Sequence, residues 1–107
     1  MKLSTIFSLA KHDIQEGAED FICLAIKYNN TTPKEDRWRA IDVIFERING
    51  RPRNREEREE RDTGNSVCEW LWENGHAKAG ELNSAALREY RLRWLDALIA
   101  EFEAKGD

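Results

Sequence analysis

With 107 residues, 17 lysines and arginines against 21 aspartates and glutamates, and a net charge of −4, the chain is sized for one domain with a single modest core. Hydrophobic residues hold at 40% beside 36% charged residues, which excludes a disordered composition and gives a globular chain with a heavily ionised surface. The acidic balance argues against a dedicated nucleic-acid binder, which carries a basic face, and leaves room for a local basic pocket.

The opening stretch Met1 to Phe7 has neither the long apolar segment nor the small-residue cleavage site of a signal peptide. Nowhere does an apolar run approach the roughly 20 residues that a membrane span needs. The two cysteines, Cys23 and Cys68, lack the paired spacing of a zinc site and read as buried thiols of a reducing compartment. These features set the expectation of a cytoplasmic protein with no metal and no membrane contact.

In chain order, Leu3, Ile6, Phe7, Ala10 and Ile14 recur at helical spacing. Ser4 or Thr5 is expected to cap this first helix, and Gly17 to end or bend it. A second helix is predicted from Ala18, with Glu19 and Asp20 in its first turn, where the helix dipole favours negative charge. Phe21, Ile22, Leu24, Ala25, Ile26 and Tyr28 face almost every direction, so this short helix is expected to be the central, most enclosed one, with Cys23 inside it. After the loop Asn29-Asn30-Thr31 comes Thr32-Pro33-Lys34-Glu35: a capping hydroxyl, proline at the first helical position and a glutamate three residues after the cap. Trp38, Ile41, Ile44, Phe45 and Ile48 then form one stripe, closed by Gly50 and Pro52.

From Arg51 to Asp62 the chain alternates arginines and acids without a large apolar residue, which predicts a linker or solvated helix over 51–62. Thr63-Gly64-Asn65-Ser66 makes a turn and a cap for a short helix carrying Val67, Cys68, Trp70, Leu71 and Trp72, stopped at Asn74-Gly75. Two turns of helix hold their shape only by docking. Trp70 and Trp72 stand about 200° apart and cannot both face inward, and Trp72 is taken as the one at a rim or interface. The last and longest helix runs from Ser84 to Lys105. Leu87, Tyr90, Trp94, Leu95, Leu98, Ile99 and Phe102 share one side of it, with Arg91 seated among them. No strand-like alternation occurs, so the reading is a single all-α domain over 1–107: a compact bundle of four to five helices, including the short tryptophan-bearing helix and the long C-terminal one.

Groups able to carry catalysis are scattered. His12 and His76 stand alone, no glycine-rich phosphate loop is present, and a catalytic centre would need carboxylates such as Asp42 or Glu46 brought together with Glu101. The expectation is that the chain is not an enzyme and has no cofactor. Arg91 is the outlier, because a guanidinium in an apolar setting must meet a carboxylate, lie over a ring such as Trp94, reach the surface or hold an anion. Arg91 with Arg88, and Arg37 at the start of the Thr32-capped helix, form one candidate binding group for a phosphate or an acidic loop, with Trp72 and Trp94 as candidate contact residues. The apolar face of the last helix looks too wide for one short bundle to cover, so Leu95, Leu98, Ile99 and Phe102 are expected to form the seam of a homodimer or higher oligomer.

The stretch from Ala10 to Ile26, with Ile14, Gly17, Phe21-Ile22-Cys23 and Ala25-Ile26, and the ending Tyr90-Arg91-Leu92-Arg93-Trp94-Leu95-Asp96-Ala97-Leu98-Ile99-Ala100-Glu101-Phe102, resemble small proteins encoded in tailed phages and prophages. The resemblance spans roughly half the chain and consists mostly of helix-packing positions. It implies a bacterial-cytoplasm setting and an accessory protein that binds a host macromolecule, in one form a component of a defence system. Two alternatives stand beside that expectation. One is a module that sequesters a nucleotide or other phosphate-bearing signal at an arginine-lined helical interface. The other is a nucleic-acid-associated regulator, which the acidic balance disfavours.

Overall fold

Helix α1, Leu3–Gln15, packs against each of the three other described helices. Leu3, Ile6, Phe7, Ala10 and Ile14 are all buried. The computed structural model describes residues 1–19, 21–48 and 84–107. The predicted linker 51–62, the short helix with Trp70 and Trp72, Cys68 and His76 lie outside the described residues, as do Asp20 and the side chains of Phe45, Ile48, Leu87 and Tyr90. The other described helices are α2, Ile22–Lys27, α3, Lys34–Ile48, and α4, Ser84–Ala104. The fold is all-α, and no strand occurs among the described residues.

The longest contact is α1 on α4, and α1 also touches α2 and α3 while α2 packs on α3. Among the described helices α1, rather than α2, is thus the hub. Ala40, Ile41 and Ile44 of α3 and Ile22, Cys23, Ala25 and Ile26 of α2 complete the core around it. Phe7 and Phe102 meet with ring centroids 5.9 Å apart, tilted by 41°, a geometry that aromatic pairs favour.

The side of α4 expected to form an oligomer seam is used inside one chain. Leu95, Leu98 and Phe102 are 0%, 4% and 8% exposed, and Ile99 is partly buried against the same core. Three side chains so enclosed offer nothing to a second copy unless the core opens, so the seam expectation is corrected. The face looked too wide because only a tertiary view reveals how much of it α1 covers.

Helix ends also differ from the sequence reading, each for a local reason. Ser4 and Thr5 lie inside α1, and neither caps it. The cap comes from the far end of the chain: Asp107 Oδ1 accepts the Leu3 N–H at 3.1 Å and the Asp107 main-chain oxygen accepts the Ser4 N–H at 2.8 Å. These are donors that the first turn cannot satisfy within the helix. Arg39 of α3 donates to Asp107 Oδ2 at 3.0 Å and to the Met1 carbonyl at 2.6 Å, so it ties both chain ends to α3. Gly17 and Gly106 both adopt φ near +76°. Each closes its helix with the paired bonds of a left-handed cap, Gly17 N–H to Ile14 and Ala18 N–H to Asp13 in α1, Gly106 N–H to Glu103 and Asp107 N–H to Phe102 in α4. The Gly106 turn is what delivers Asp107 to the start of α1.

Helix α2 begins at Ile22, not Ala18, with Phe21 in extended conformation before it. Glu19 therefore precedes the helix and accepts the Phe21 N–H at 3.5 Å. At α3 the Pro33 carbonyl accepts the first helical bond, from the Arg37 N–H at 3.0 Å. That helix starts one residue later than the Thr32-Pro33 spacing predicts. Thr32 is 2% exposed and its hydroxyl points to the Met1 sulfur at 3.8 Å.

Two outcomes test this packing. Leu95→Ala leaves a cavity under α1 and is expected to lower unfolding free energy by about 2–5 kcal/mol in urea denaturation. The Asp107 carboxyl is held below its ordinary value of 3.8, first by the Leu3 backbone hydrogen bond and then by Arg39. A carboxyl depressed in the folded state adds stability above its unfolded pKa and loses it as pH falls through the folded one. Asp107→Asn is therefore expected to unfold more easily than the wild type at pH 7. The two should converge as pH drops below about 4, and equal stability of both at pH 7 would remove the cap from the account.

Candidate functional site

The described surface carries one aromatic residue that packing leaves out. Tyr28, expected inside the most enclosed helix, is 63% exposed. It directly follows α2 and retains a helical hydrogen bond, its N–H reaching the Leu24 carbonyl at 3.0 Å. Because α2 has only six residues, Ile22, Cys23, Ala25 and Ile26 take the inward directions and Tyr28 is turned out.

The chain then reverses through Asn29 to Thr32. The Asn29 side chain accepts the Thr31 N–H at 3.1 Å, and the Thr32 N–H reaches the Asn29 carbonyl at 3.1 Å, a turn typical of asparagine. This brings the first turn of α3 beside the last turn of α2. Arg37 Nη1 donates to the Lys27 carbonyl at 2.6 Å, satisfying one of the carbonyls that the end of a helix leaves open. The same bond fixes the Arg37 fork in place, and its Nε is buried with no hydrogen bond among the described residues.

Between the two helices lies an open concavity of about 260 Å³. Its floor and apolar wall are Ile41, Trp38 and Tyr28, and its rim holds Lys27, Lys34 and Arg37, with Asn30 at the turn. Lys27 Nζ stands 5.9 Å from the centre of the Tyr28 ring, a cation over an aromatic face. Among the described residues, three cations and no carboxylate line this groove, on a chain whose net charge is −4.

On the other flank of Trp38 the sign reverses. A second shallow concavity there is bounded by Glu35, Asp42 and Glu46, with Val43 and Arg39. Helical geometry explains the change: around α3, Lys34 lies about 40° to one side of Trp38 and Asp42 about 40° to the other. Arg39 in this second groove is already turned to Asp107 and Met1.

Of the residues singled out in the sequence, Arg37 alone lies in the cationic groove. Arg91 is buried at 5% exposure, so of the outcomes open to it a reach to the surface is set aside. Its guanidinium stacks on Phe21, the residue just before α2, with the carbon 4.8 Å from the ring centre. Arg37 thus meets the other end of α2 from the residue that Arg91 covers, about 9 Å away along six residues of helix. Arg88 is half-buried one turn before Arg91 on α4, and Trp94 packs partly buried against the core. Trp72 lies outside the described residues.

Glu101, the carboxylate a catalytic reading would have joined to Asp42 or Glu46, is gripped by both nitrogens of the Arg47 fork and by Lys105 at 3.4 Å. The Arg47 hydrogen bonds are the main reason its carboxyl is held below the ordinary range. A carboxylate so stabilised is a poor proton donor at neutral pH. Among the described residues no three His, Cys, Asp or Glu side chains converge as metal ligands, and no helix is long and apolar enough to cross a membrane.

The residues missed by the sequence reading are Lys27, Tyr28, Lys34 and the outward edge of Trp38. One signal was present: Lys34, Arg37, Trp38 and Ile41 recur at spacings of three and four and so share a side of α3. Compared with protein-family models, with curated proteins and with solved structures, the chain has no match in any of the three. The Arg91 stack has its own check: Phe21→Leu, which keeps an apolar side chain and removes the ring face, is expected to cost about 1–2 kcal/mol in chemical denaturation. An unchanged midpoint would mean that the stack contributes nothing to the fold.

Proposed function

We propose that the protein works by binding, as a small accessory protein of a tailed phage or prophage that engages a host macromolecule and blocks a component of bacterial defence. The contact surface in this reading is the cationic groove between α2 and α3. The observation that carries it is Tyr28: an aromatic ring left 63% exposed beside a groove whose charged lining, among the described residues, is Lys27, Lys34 and Arg37. Exposed aromatics and arginines beside an apolar pocket are the residue types on which binding energy concentrates. The α4 side is not the surface in this reading, because Leu95, Leu98 and Phe102 are already enclosed.

A phosphate-bearing small ligand is the second reading, favoured by the combination of a stackable ring with Lys27, Lys34 and Arg37. A thermal-shift panel of mono- and cyclic nucleotides separates it. A true ligand at a hundredfold excess over its dissociation constant adds about 2.7 kcal/mol of stability.

For the leading reading, the full-length protein is used to capture partners from a bacterial host, in parallel with the double variant Tyr28→Ala/Lys34→Glu. The expected result is a host protein retained by the wild type and lost with the variant, together with weakened host defence in cells expressing the wild type only. Identical captured proteins from both would sink the assignment of this groove.

A further inference from the structure

The cationic groove has features that select among anionic occupants. Its cations come from two elements: Lys27 belongs to the last turn of α2, and Lys34 and Arg37 to the start of α3. One fork nitrogen of Arg37 is already committed to the Lys27 carbonyl. A single phosphate is held best by several donors converging on one point. Donors from two elements around a mainly apolar concavity suit separate carboxylates on either side of an apolar anchor.

Size points the same way. About 260 Å³ lies at or below the lower end of the range usual for small-molecule pockets, and it has the scale of one large side chain. Tyr28, Trp38 and Ile41 give that side chain an aromatic and aliphatic lining.

A third feature is the acid stripe across Trp38. Glu35 and Glu46 are exposed along α3 on the flank opposite Lys34. A long polyanion leaving the groove in that direction would run over like charge, which costs affinity and serves as discrimination against it. A short acidic segment escapes that penalty.

We infer that the α2–α3 groove recognises a short acidic segment of a protein partner, with an aromatic side chain seated between Tyr28 and Trp38 and flanking carboxylates on Lys27, Lys34 and Arg37. This rests on the reading of the groove as the binding surface and adds the chemistry of its occupant. The aromatic anchor supplies most of the affinity, and the carboxylates set orientation and rate of encounter.

The test is a fluorescence-anisotropy titration of the full chain with a labelled five-residue peptide, phenylalanine flanked on each side by two aspartates. Comparison probes carry alanine for the phenylalanine or lysine for the aspartates, and two further probes are AMP and a short single-stranded oligonucleotide. The expected result is binding of the acidic aromatic peptide, weakened at least about tenfold by either peptide change. Tyr28→Ala and Lys34→Glu in the protein should weaken it by a similar factor, equivalent to about 1.4 kcal/mol. Lys105→Glu, the same charge change just after α4, should leave it unaltered. Tyr28 and Lys34 are exposed, and unchanged helical circular dichroism of both variants excludes unfolding as the cause.

Tighter binding of AMP or of the oligonucleotide than of the peptide overturns the inference, as does mass growth with concentration that is abolished by Lys34→Glu, which would make a second copy the occupant. If the peptide fails while capture of a host protein still depends on Tyr28, the acidic-aromatic chemistry falls and the groove stands as a binding surface. If neither depends on Tyr28, both fall together.

Discussion

The burial of one side of α4 against α1 is the contact on which the rest of the molecule depends. Phe7 and Phe102 meet ring to ring at its end, and Leu95 and Leu98 are enclosed farther along α4. Fully burying side chains of this kind stabilises by about 1.5–3 kcal/mol each relative to exposure. An ion pair between Lys11 and Asp96 at 2.6 Å lies at the edge of the same contact, and being half-exposed it adds little beyond alignment. Once α1 and α4 are joined, the last residues of the chain lie beside its first turn. The Gly106 turn can then place Asp107 on the α1 amides. Without the apolar contact that cap would have no reason to form, since closing so long a loop costs more than two hydrogen bonds return.

That contact also decides where the molecule can meet others. A helix with a broad apolar side ordinarily advertises an interface, yet here α1 takes up Leu95, Leu98 and Phe102 within one chain. In the reading proposed above, recognition falls to the junction of α2 and α3. There a six-residue helix ends too soon to hide Tyr28, and the Arg37 bond to the Lys27 carbonyl holds the two helices in register. The groove is a by-product of a short helix meeting the start of a longer one. Its positive sign comes from three side chains in a chain with an excess of acids. Since Lys34, Trp38 and Asp42 advance around α3 by about 40° at each step, a cationic flank and an acidic flank lie side by side, and the sign of a partner is constrained.

Arg91 illustrates how a buried cation can be structural. It is covered to 5% exposure and laid on the Phe21 ring, so its charge meets the negative face of an aromatic and its stem fills space beside the core. The ring is provided by a residue in extended conformation just before α2. This stack secures the start of α2, as Arg37 secures its end, and it explains why a long charged side chain interrupts an otherwise apolar side of α4.

Sequence by itself determined the all-α class, the apolar stripes of α1 and α3, the stop at Gly17 and the place of Arg91 among apolar neighbours. Each follows from a period of 3.6 residues, a glycine that tolerates positive φ, or neighbours three and four positions away. Those are properties of local chain geometry. Tertiary structure alone decided that Asp107 caps α1, that Arg91 lies on the Phe21 ring, that Leu95, Leu98 and Phe102 of α4 are covered within the chain, and that Tyr28, Lys27, Lys34 and Arg37 share a groove. All of these join residues from different helices, and a helical period fixes which side chains share a side of one helix but carries no information on which sides meet.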